Sequence, residues 1–299
     1  MALSLKRTSI FCEGLDHPEC IAAAPDGSFY AGGEAGQIYH ISPDGKHVEQ
    51  IASSEGFILG VALSPDGRWL AACDLKHKCV WKLDLAGRTL SEFACGAGDA
   101  RFNIPNHLAF LPDGTLFVTE SGGFRQVSGK IFSFDPDGRG EIWHAGPFNF
   151  ANGIAIGPKG DAVYVVCTWL PGVERIEIRG DGSAGKRSVY AKIPKALPDG
   201  LTFDARGNLY VTCYTPARIY KISRDRKVSL LIEDWEAHAL ANPTNIAFGG
   251  KNFDQLFAAN LGRWHITQID LRVRGAPLAC HRDHRDHRDH RDHPPTRRR

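Results

Sequence analysis

A strand–turn–strand pattern recurs six times along the 299-residue chain, and a repeat of this kind restricts the folds available to it. The six copies read PECIAAAPDGSFYAG, ILGVALSPDGRWLAA, IPNHLAFLPDGTLFVT, FANGIAIGPKGDAVYVV, LPDGLTFDARGNLYVT and PTNIAFGGKNFDQLFAA. When the copies are aligned, the positions that open their first strands are 40, 47, 46, 47 and 45 residues apart. A period near 45 residues holds about four short strands, which is the content of one propeller blade.

The repeat therefore predicts an all-β, six-bladed β-propeller with a central channel, formed by a single domain over residues 1–280. Further apolar runs such as GQIYHISPDG, CVWKLDLAG, GKIFSFDPDG and RIYKISRD supply third strands. The segment SLKRTSIFC is expected to pair with the strands after WHITQIDL to close the ring, because an unclosed ring would expose two long sheet edges. The GH…WD signature of WD40 repeats is absent from the sequence.

Composition supports many short strands in a soluble protein. The chain has 32 glycines, 17 prolines and 42% hydrophobic residues, without long stretches of helical apolar period. Its N-terminus lacks a signal-peptide core, and no window approaches 18 consecutive apolar residues, so a cytoplasmic location and no membrane association are expected. The eight cysteines show no CxxC pairing, and residues such as Cys73, Cys167 and Cys213 are expected to be reduced and buried in strands.

The formal charge of +2 hides a nearly neutral body. Residues 281–299, HRDHRDHRDHRDHPPTRRR, contain seven of the 36 basic and four of the 34 acidic side chains, which leaves 29 basic and 30 acidic residues elsewhere. That body has no basic stripe for nucleic-acid binding. The tail is low in complexity and is predicted to be disordered, outside the domain; chelation of a transition metal by its histidines is the alternative.

Six aligned positions open the first strands, which line the channel of a propeller, and most of them offer side-chain oxygen. They are Glu19, Leu59, Asn106, Asn152, Asp199 and Thr244, and we call this set the channel ring. Two buried carboxylates would repel each other, and a hard divalent cation bound by carboxylate and amide oxygens would remove that cost. The ring therefore predicts a metal site, with Ca²⁺ as the expected ion. Turn dipeptides such as Asn-Gly, or a water-bonded polar plug, would explain the same residues without metal.

Loops after the second strands open on the same face as this ring. They contain Glu120, Ser121, Trp169, Tyr214, Asn260 and Arg263, with Phe124 and Phe150 nearby. We expect a pocket mouth there, with Glu120, Trp169, Tyr214 and Arg263 binding substrate, although some of the aromatic residues could instead cover blade edges. His17 and His107 adjoin ring positions, and strand alternation predicts that they turn away from the channel. No GxSxG motif supports a serine triad.

The segments HPE, IPNHLAFLPDGTLFVTES, ANGIAIGPKGDAVYVV, LPDGLTFDARGNLYVT and TNIAFGG resemble the gluconolactonase family that includes regucalcin, and more distantly diisopropyl fluorophosphatase and the paraoxonases. The resemblance covers about residues 14–272. It implies a catalytic divalent metal, commonly Ca²⁺ or Zn²⁺, held by Glu19, Asn152 and Asp199. It also implies that Asn106 binds metal or substrate and that Asp199 is the general base. Ile104 stands where sugar lactonases carry Arg, and His107 where Asp is usual, which favours a less polar substrate.

The resulting hypothesis is a metal-dependent lactonase in which Asp199 and Asn106 are catalytic and water attacks a small lactone or ester. Besides Ca²⁺, the ions Zn²⁺, Mg²⁺ and Mn²⁺ remain candidates. Two alternatives stay open: hydrolysis of an organophosphate on the same metal site, and a non-catalytic propeller that binds metal or a partner.

Overall fold

The computed structural model describes residues 2–281 and shows the predicted six-bladed β-propeller. Each blade is a four-stranded antiparallel sheet, and the innermost strand comes first in blades one to five. Strand β1 (Thr8–Glu13) belongs to the last blade, and a 3₁₀ turn at Leu5–Arg7 precedes this strand. Blade one contains β2 (Cys20–Ala23), β3 (Phe29–Gly32), β4 (Gln37–Ile41) and β5 (Val48–Ser53). Blade two contains β6 (Ile58–Leu63), β7 (Trp69–Asp74), β8 (Cys79–Asp84) and β9 (Thr89–Ala94).

Two short strands, β10 (Gly96–Ala97) and β11 (Ala100–Arg101), pair with each other between blades two and three. The remaining blades then repeat the same strand order. Blade three contains β12 (Pro105–Phe110), β13 (Leu116–Glu120), β14 (Val127–Phe134) and β15 (Gly140–Asn149). Blade four contains β16 (Ala151–Ile156), β17 (Ala162–Cys167), β18 (Gly172–Ile178) and β19 (Ala184–Lys192). Blade five contains β20 (Leu197–Phe203), β21 (Leu209–Thr215), β22 (Arg218–Ile222) and β23 (Val228–Glu233).

Blade six combines the two ends of the propeller. It contains β24 (Pro243–Gly249), β25 (Gln255–Asn260) and β26 (His265–Ile269), and β1 pairs antiparallel with β26 as its outermost strand. The expected closure by the N-terminal segment is therefore confirmed, but its partner is the strand within WHITQIDL and not a strand after it. Backbone hydrogen bonds between β1 and β26 close the ring and pair the outer side of β26.

The core lies between blades. One cluster joins Ile21 and Phe29 of blade one to Phe257 and Ile266 of blade six, and equivalent clusters fill the other five junctions. Burying a Leu, Ile or Phe side chain stabilises a fold by about 1.5–3 kcal/mol, so the stacked blade faces supply the main stabilising term. All eight cysteines are free and six are buried, which confirms their expected state.

The segment after β26 runs beneath the ring. Asp204 forms a bridge with Gly275, the Ala276 N–H donates to the Phe203 carbonyl at 2.9 Å, and a 3₁₀ turn follows at Ala279–His281. Residues 276–280 line an apolar cavity together with the far ends of the inner strands of the blades. This segment therefore crosses the channel at the end away from the channel ring. His281, the first residue of the predicted tail 281–299, ends this turn, and residues 282–299 lie outside the described residues.

Candidate functional site

A register shift marks the channel-ring position in five of the six blades. The pairing of the inner strand with its neighbour is irregular in each of the intervals Ile58/Gly60, Pro105/Leu108, Ala151/Ile154, Pro198/Leu201 and Pro243/Ile246. Such bulges free a side chain from strict alternation and redirect it. The irregular pairing therefore lies at the channel-ring residues, where the inner strands of neighbouring blades approach one another.

Glycine follows the ring residue in blades two, four and five because the next blade leaves no room for a Cβ atom. A Cβ on Gly153 would lie 2.6 Å from the Asp199 carbonyl oxygen, and one on Gly200 would lie 2.5 Å from that of Thr244. Asn152 and Gly153 both lie within β16, so this Asn-Gly pair is not a hairpin turn. It combines a polar side chain with a close approach between strands.

Threonine hydroxyl groups fix the backbone of successive ring residues across the blade junctions. Each donates to a carbonyl group in the next blade: Thr119 Oγ1 to Asn152 O at 2.7 Å, Thr168 Oγ1 to Pro198 O at 2.9 Å, Thr212 Oγ1 to Thr244 O at 2.7 Å, and Thr244 Oγ1 to Glu19 O at 2.7 Å. Three of these threonines come from second strands or directly follow one. These hydrogen bonds were not predicted from the sequence, although VTE, CTW and VTC at the ends of three repeats could have indicated them.

Glu19, Asn152 and Asp199 share one electrostatic environment. Burial raises the pKa of Glu19 well above its usual range, and the nearby charge of Asp199 raises it further. Burial also raises the pKa of Asp199 to about 8, although a hydrogen bond from Asn152 opposes that shift. Asp199 as a residue is partly exposed to the channel, but its carboxyl group is surrounded by protein atoms. The Oε2 atom of Glu19 is buried without a hydrogen-bond partner.

Asn106 and Leu59 occupy the adjoining part of the channel ring. Asn106 is buried, and its carbonyl oxygen would lie 2.6 Å from a Cβ on Gly60, so blades two and three are closely packed there. Thr119 ties the two asparagine strands together, because its hydroxyl group contacts the carbonyl groups of both His107 and Asn152. Leu59 is also buried and adds no ligand atom.

His107 crosses the channel, and the expectation that it turns away was wrong. Its Nε2 atom lies 2.8 Å from Nδ2 of Asn245, which belongs to the opposite blade. Oδ1 of Asn245 accepts the Ile21 N–H at 3.4 Å, so Nδ2 is the atom that donates to His107. Burial lowers the pKa of His107 to about 4, partly offset by the backbone of Leu108, and the imidazole is therefore neutral. The register shift between Pro105 and Leu108 explains why alternation failed.

Glu120 holds the loop that leads to Asn106. Its carboxylate accepts backbone N–H groups from Asn103 at 2.9 Å, Ile104 at 3.1 Å and Gly122 at 2.9 Å. Burial raises its pKa, and these three hydrogen bonds act in the opposite direction. Asp74 and Asn260 hold equivalent loops in blades two and six, through the N–H groups of Phe57 and Ala241.

The other residues expected at the pocket mouth lie in two places. Trp169 packs against Phe124 and Phe150, beside Asn152. Tyr214, which was expected in a loop, is an exposed residue near the end of strand β21 in blade five. Arg263 lines a separate pocket with Ile10, Glu13, His238, Trp264 and His265, which involves the outer strand of blade six. Trp169 therefore lies next to the channel ring, whereas Arg263 lies in the pocket at the outer strand of blade six.

The donor set fits a hard divalent cation. Among residues 2–281, no three His, Cys, Asp or Glu side chains converge on one point, so a cation at the ring must use carboxamide oxygens as well. Glu19 and Asp199 supply two carboxylates, Asn152 adjoins them, and the unpartnered Glu19 oxygen is available.

Within the same described part of the chain, no helix is long and apolar enough to cross a bilayer.

The fold and this ring define a six-bladed propeller with acidic and amide groups at one end of its channel. The profile described as SMP-30/Gluconolactonase/LRE-like region matches residues 83–260, and the chain belongs to this family. Gluconolactonase from Zymomonas mobilis is 26% identical over 233 residues, which are 70% of this chain and 64% of that protein. Regucalcin from Xenopus laevis is 22% identical over 224 residues, 73% of each chain.

Solved structures show the same fold. A gluconolactonase from Xanthomonas campestris superposes with a TM-score of 0.75 at 18% identity, covering 89% of both chains. A structure described as the calcium-binding protein regucalcin from Agrobacterium tumefaciens gives a TM-score of 0.73 at 16% identity, covering 90% of this chain and 96% of its own. The propeller fold predicted from the repeat agrees with these structures.

Proposed function

We propose that the protein is a metal-dependent hydrolase that opens a lactone, or cleaves a related carboxylic ester, by attack of water. The main support is the pairing of Glu19 and Asp199, two carboxyl groups buried together with one oxygen left unpartnered. Such a pair is costly unless it is protonated or neutralised by a cation. The related gluconolactonases support the choice of a lactone as the substrate class.

Glu19, Asn152 and Asp199 would hold the ion, and Asn106 would bind the ion or the substrate. We propose Ca²⁺, because the donors are all oxygens and a structural neighbour is described as calcium-binding. Zn²⁺, Mg²⁺ and Mn²⁺ are the ions to compare with it. When bound, the cation would polarise the carbonyl group of the substrate.

Asp199 is the proposed general base, since it lies at the site and its carboxyl group adjoins Asn152. It would accept a proton from the attacking water, and the Asn152 amide would orient its carboxylate. The proton would then pass to the leaving alkoxide oxygen, which gives the hydroxy acid. The eight unpaired cysteines are in keeping with a cytoplasmic enzyme, which is the location we propose.

The test is hydrolysis of a lactone panel by protein stripped with a chelator and reloaded with single divalent ions. We expect turnover to vanish on stripping and to return with one ion, and Asn152→Ala and Asp199→Ala to lower kcat/KM by about 100-fold or more. Asn252→Ala and Asp225→Ala are matched controls, because both side chains are exposed outside the ring. Metal-independent turnover, or turnover of a phosphotriester in preference to every lactone, would overturn the proposal.

A further inference from the structure

Three aromatic side chains form a cluster on the loop face, which we call the aromatic rim: Phe124, Phe150 and Trp169. The ring centroids of Phe124 and Trp169 are 5.5 Å apart and nearly perpendicular, and those of Phe124 and Phe150 are 5.9 Å apart. Phe124 is nevertheless 64% exposed, which is unusual for a large ring within a packed cluster. Its open surface is available to a further apolar group.

The aromatic rim adjoins the channel ring directly. Phe150 lies two residues before Asn152, and its carbonyl oxygen accepts the Thr168 N–H at 3.2 Å. The Thr168 hydroxyl group in turn accepts a hydrogen bond from Asn152 Nδ2 at 3.2 Å, and Trp169 is the next residue. A molecule held at Asn152 would therefore extend toward these rings.

The loop that carries Phe124 is held in a fixed conformation. Gly122 N–H donates to Glu120, Gly123 N–H donates to Ser128 Oγ at 3.0 Å, and Ser121 Oγ donates to the Ala151 carbonyl at 2.7 Å. Arg125 adds a contact from the outside, because its guanidinium carbon lies 5.6 Å from the Phe124 ring centre and 5.7 Å from that of Trp169. The exposed ring is thus presented by a rigid loop.

Trp169 also has an unused hydrogen-bond donor. Its Nε1 atom is buried and has no partner among the described residues 2–281. An indole N–H can only donate, and leaving it unpaired costs free energy unless a ligand oxygen accepts from it. The nearest proposed ligand is the lactone at the channel ring.

We propose that the aromatic rim selects lactones that carry an aryl substituent. The aryl group packs on Phe124 and Trp169, and Trp169 Nε1 donates a hydrogen bond to an oxygen of the bound lactone. This inference rests on the proposed function and specifies its substrate class. Phe124 and Trp169 therefore have separable roles: the first recognises the substituent, and the second also binds the part that all lactones share.

The experiment compares γ-phenyl-γ-butyrolactone with unsubstituted γ-butyrolactone on the metal-loaded enzyme. Phe124→Ala is expected to lower kcat/KM about tenfold for the phenyl lactone and to leave the unsubstituted lactone unchanged. Trp169→Phe keeps an aromatic ring but removes the N–H, and it is expected to lower kcat/KM by about threefold to tenfold for both lactones. Trp235→Ala is the control, since that ring is 82% exposed.

Equal effects of Phe124→Ala on both lactones, or the same selectivity loss in Trp235→Ala, would overturn the inference. Binding of the product, 4-hydroxy-4-phenylbutanoate, gives a readout that does not require turnover, by calorimetry with the same variants. If no lactone is hydrolysed, the proposed function fails, but weaker product binding in Phe124→Ala would still support an aryl site. Wild-type protein that does not bind this product contradicts the aryl site itself.

Discussion

Glu19 and Asp199 keep protons that ordinary carboxyl groups release near pH 4, since burial raises both pKa values. Between that pH and about 8, the pKa of folded Asp199, the folded protein binds more protons than the unfolded chain. Unfolding then becomes easier as pH rises. The residues that we expect to bind the ion therefore destabilise the metal-free fold at neutral pH.

We predict that metal-free protein loses thermal stability as the pH rises from about 5 to about 8, and that a bound divalent ion removes this loss. Asp199→Asn should reduce the pH dependence, because the amide does not titrate, and buried Glu19 should account for the part that remains. The measurement is the Tm by calorimetry across this range, with and without ion. The exposed control Asp225→Asn should keep the wild-type slope, and a stability of metal-free wild type that rises over this range would contradict the raised pKa values.

Part of the channel could be predicted from the sequence. Alignment of the repeats puts Glu19, Asn152 and Asp199 at equivalent positions, and Asp199 lies close to both of the others in the structure. The orientation of His107 could not be predicted in this way, because a register shift overrides strand alternation and no residue type in the segment indicates that shift. Glu120 was expected in a loop, but it is the buried last residue of β13, and its three backbone partners depend on the folded segments beside it.

At the scale of the strand, the pairing of a bulge with a glycine sets the geometry of the channel. Gly60, Gly153 and Gly200 let neighbouring inner strands approach so closely that a methyl group would overlap a carbonyl oxygen. The turn motifs PDG and ARG between first and second strands were readable from sequence, as was the number of strands. The register shifts were not, because they depend on contacts with the next blade.

We predict that Gly153→Ala pushes β16 and β20 apart, since the new Cβ would lie 2.6 Å from the Asp199 carbonyl oxygen. The free energy of unfolding should fall by about 1–3 kcal/mol, as in other overpacked cores, and divalent-ion affinity should fall with it. Denaturant unfolding and ion titration measure the two effects. Gly180→Ala is the matched control, because a Cβ there meets no atom within 4 Å; equal effects of both substitutions would refute the close-approach argument.

At the scale of the molecule, both ends of the chain complete the ring. Strand β1 closes blade six, and residues 276–280 cover the apolar end of the channel. Closure by β1 was predictable because a propeller cannot leave two edges open. The covering segment was not, since RGAPLAC shows neither strand nor helix periodicity and is fixed by backbone contacts such as that of Ala276 with Phe203.

We predict that a chain ending at Arg274 melts several degrees lower than wild type and binds a dye for exposed apolar surface, because the far end of the channel would be uncovered. A chain ending at His281 is the control. It should melt like the full-length protein if residues 282–299 stand outside the domain, as the sequence predicts. Equal melting of the two truncated chains would show that the covering segment adds no stability.

The covering segment, residues 276–280, also makes the two ends of the channel different. Residues 276–280 cover one end of the channel, and His107 and Asn245 cross its axis, so within residues 2–281 the channel ring is reached from the loop face. Under the proposed lactonase activity, the lactone would enter and the hydroxy acid would leave through this one face.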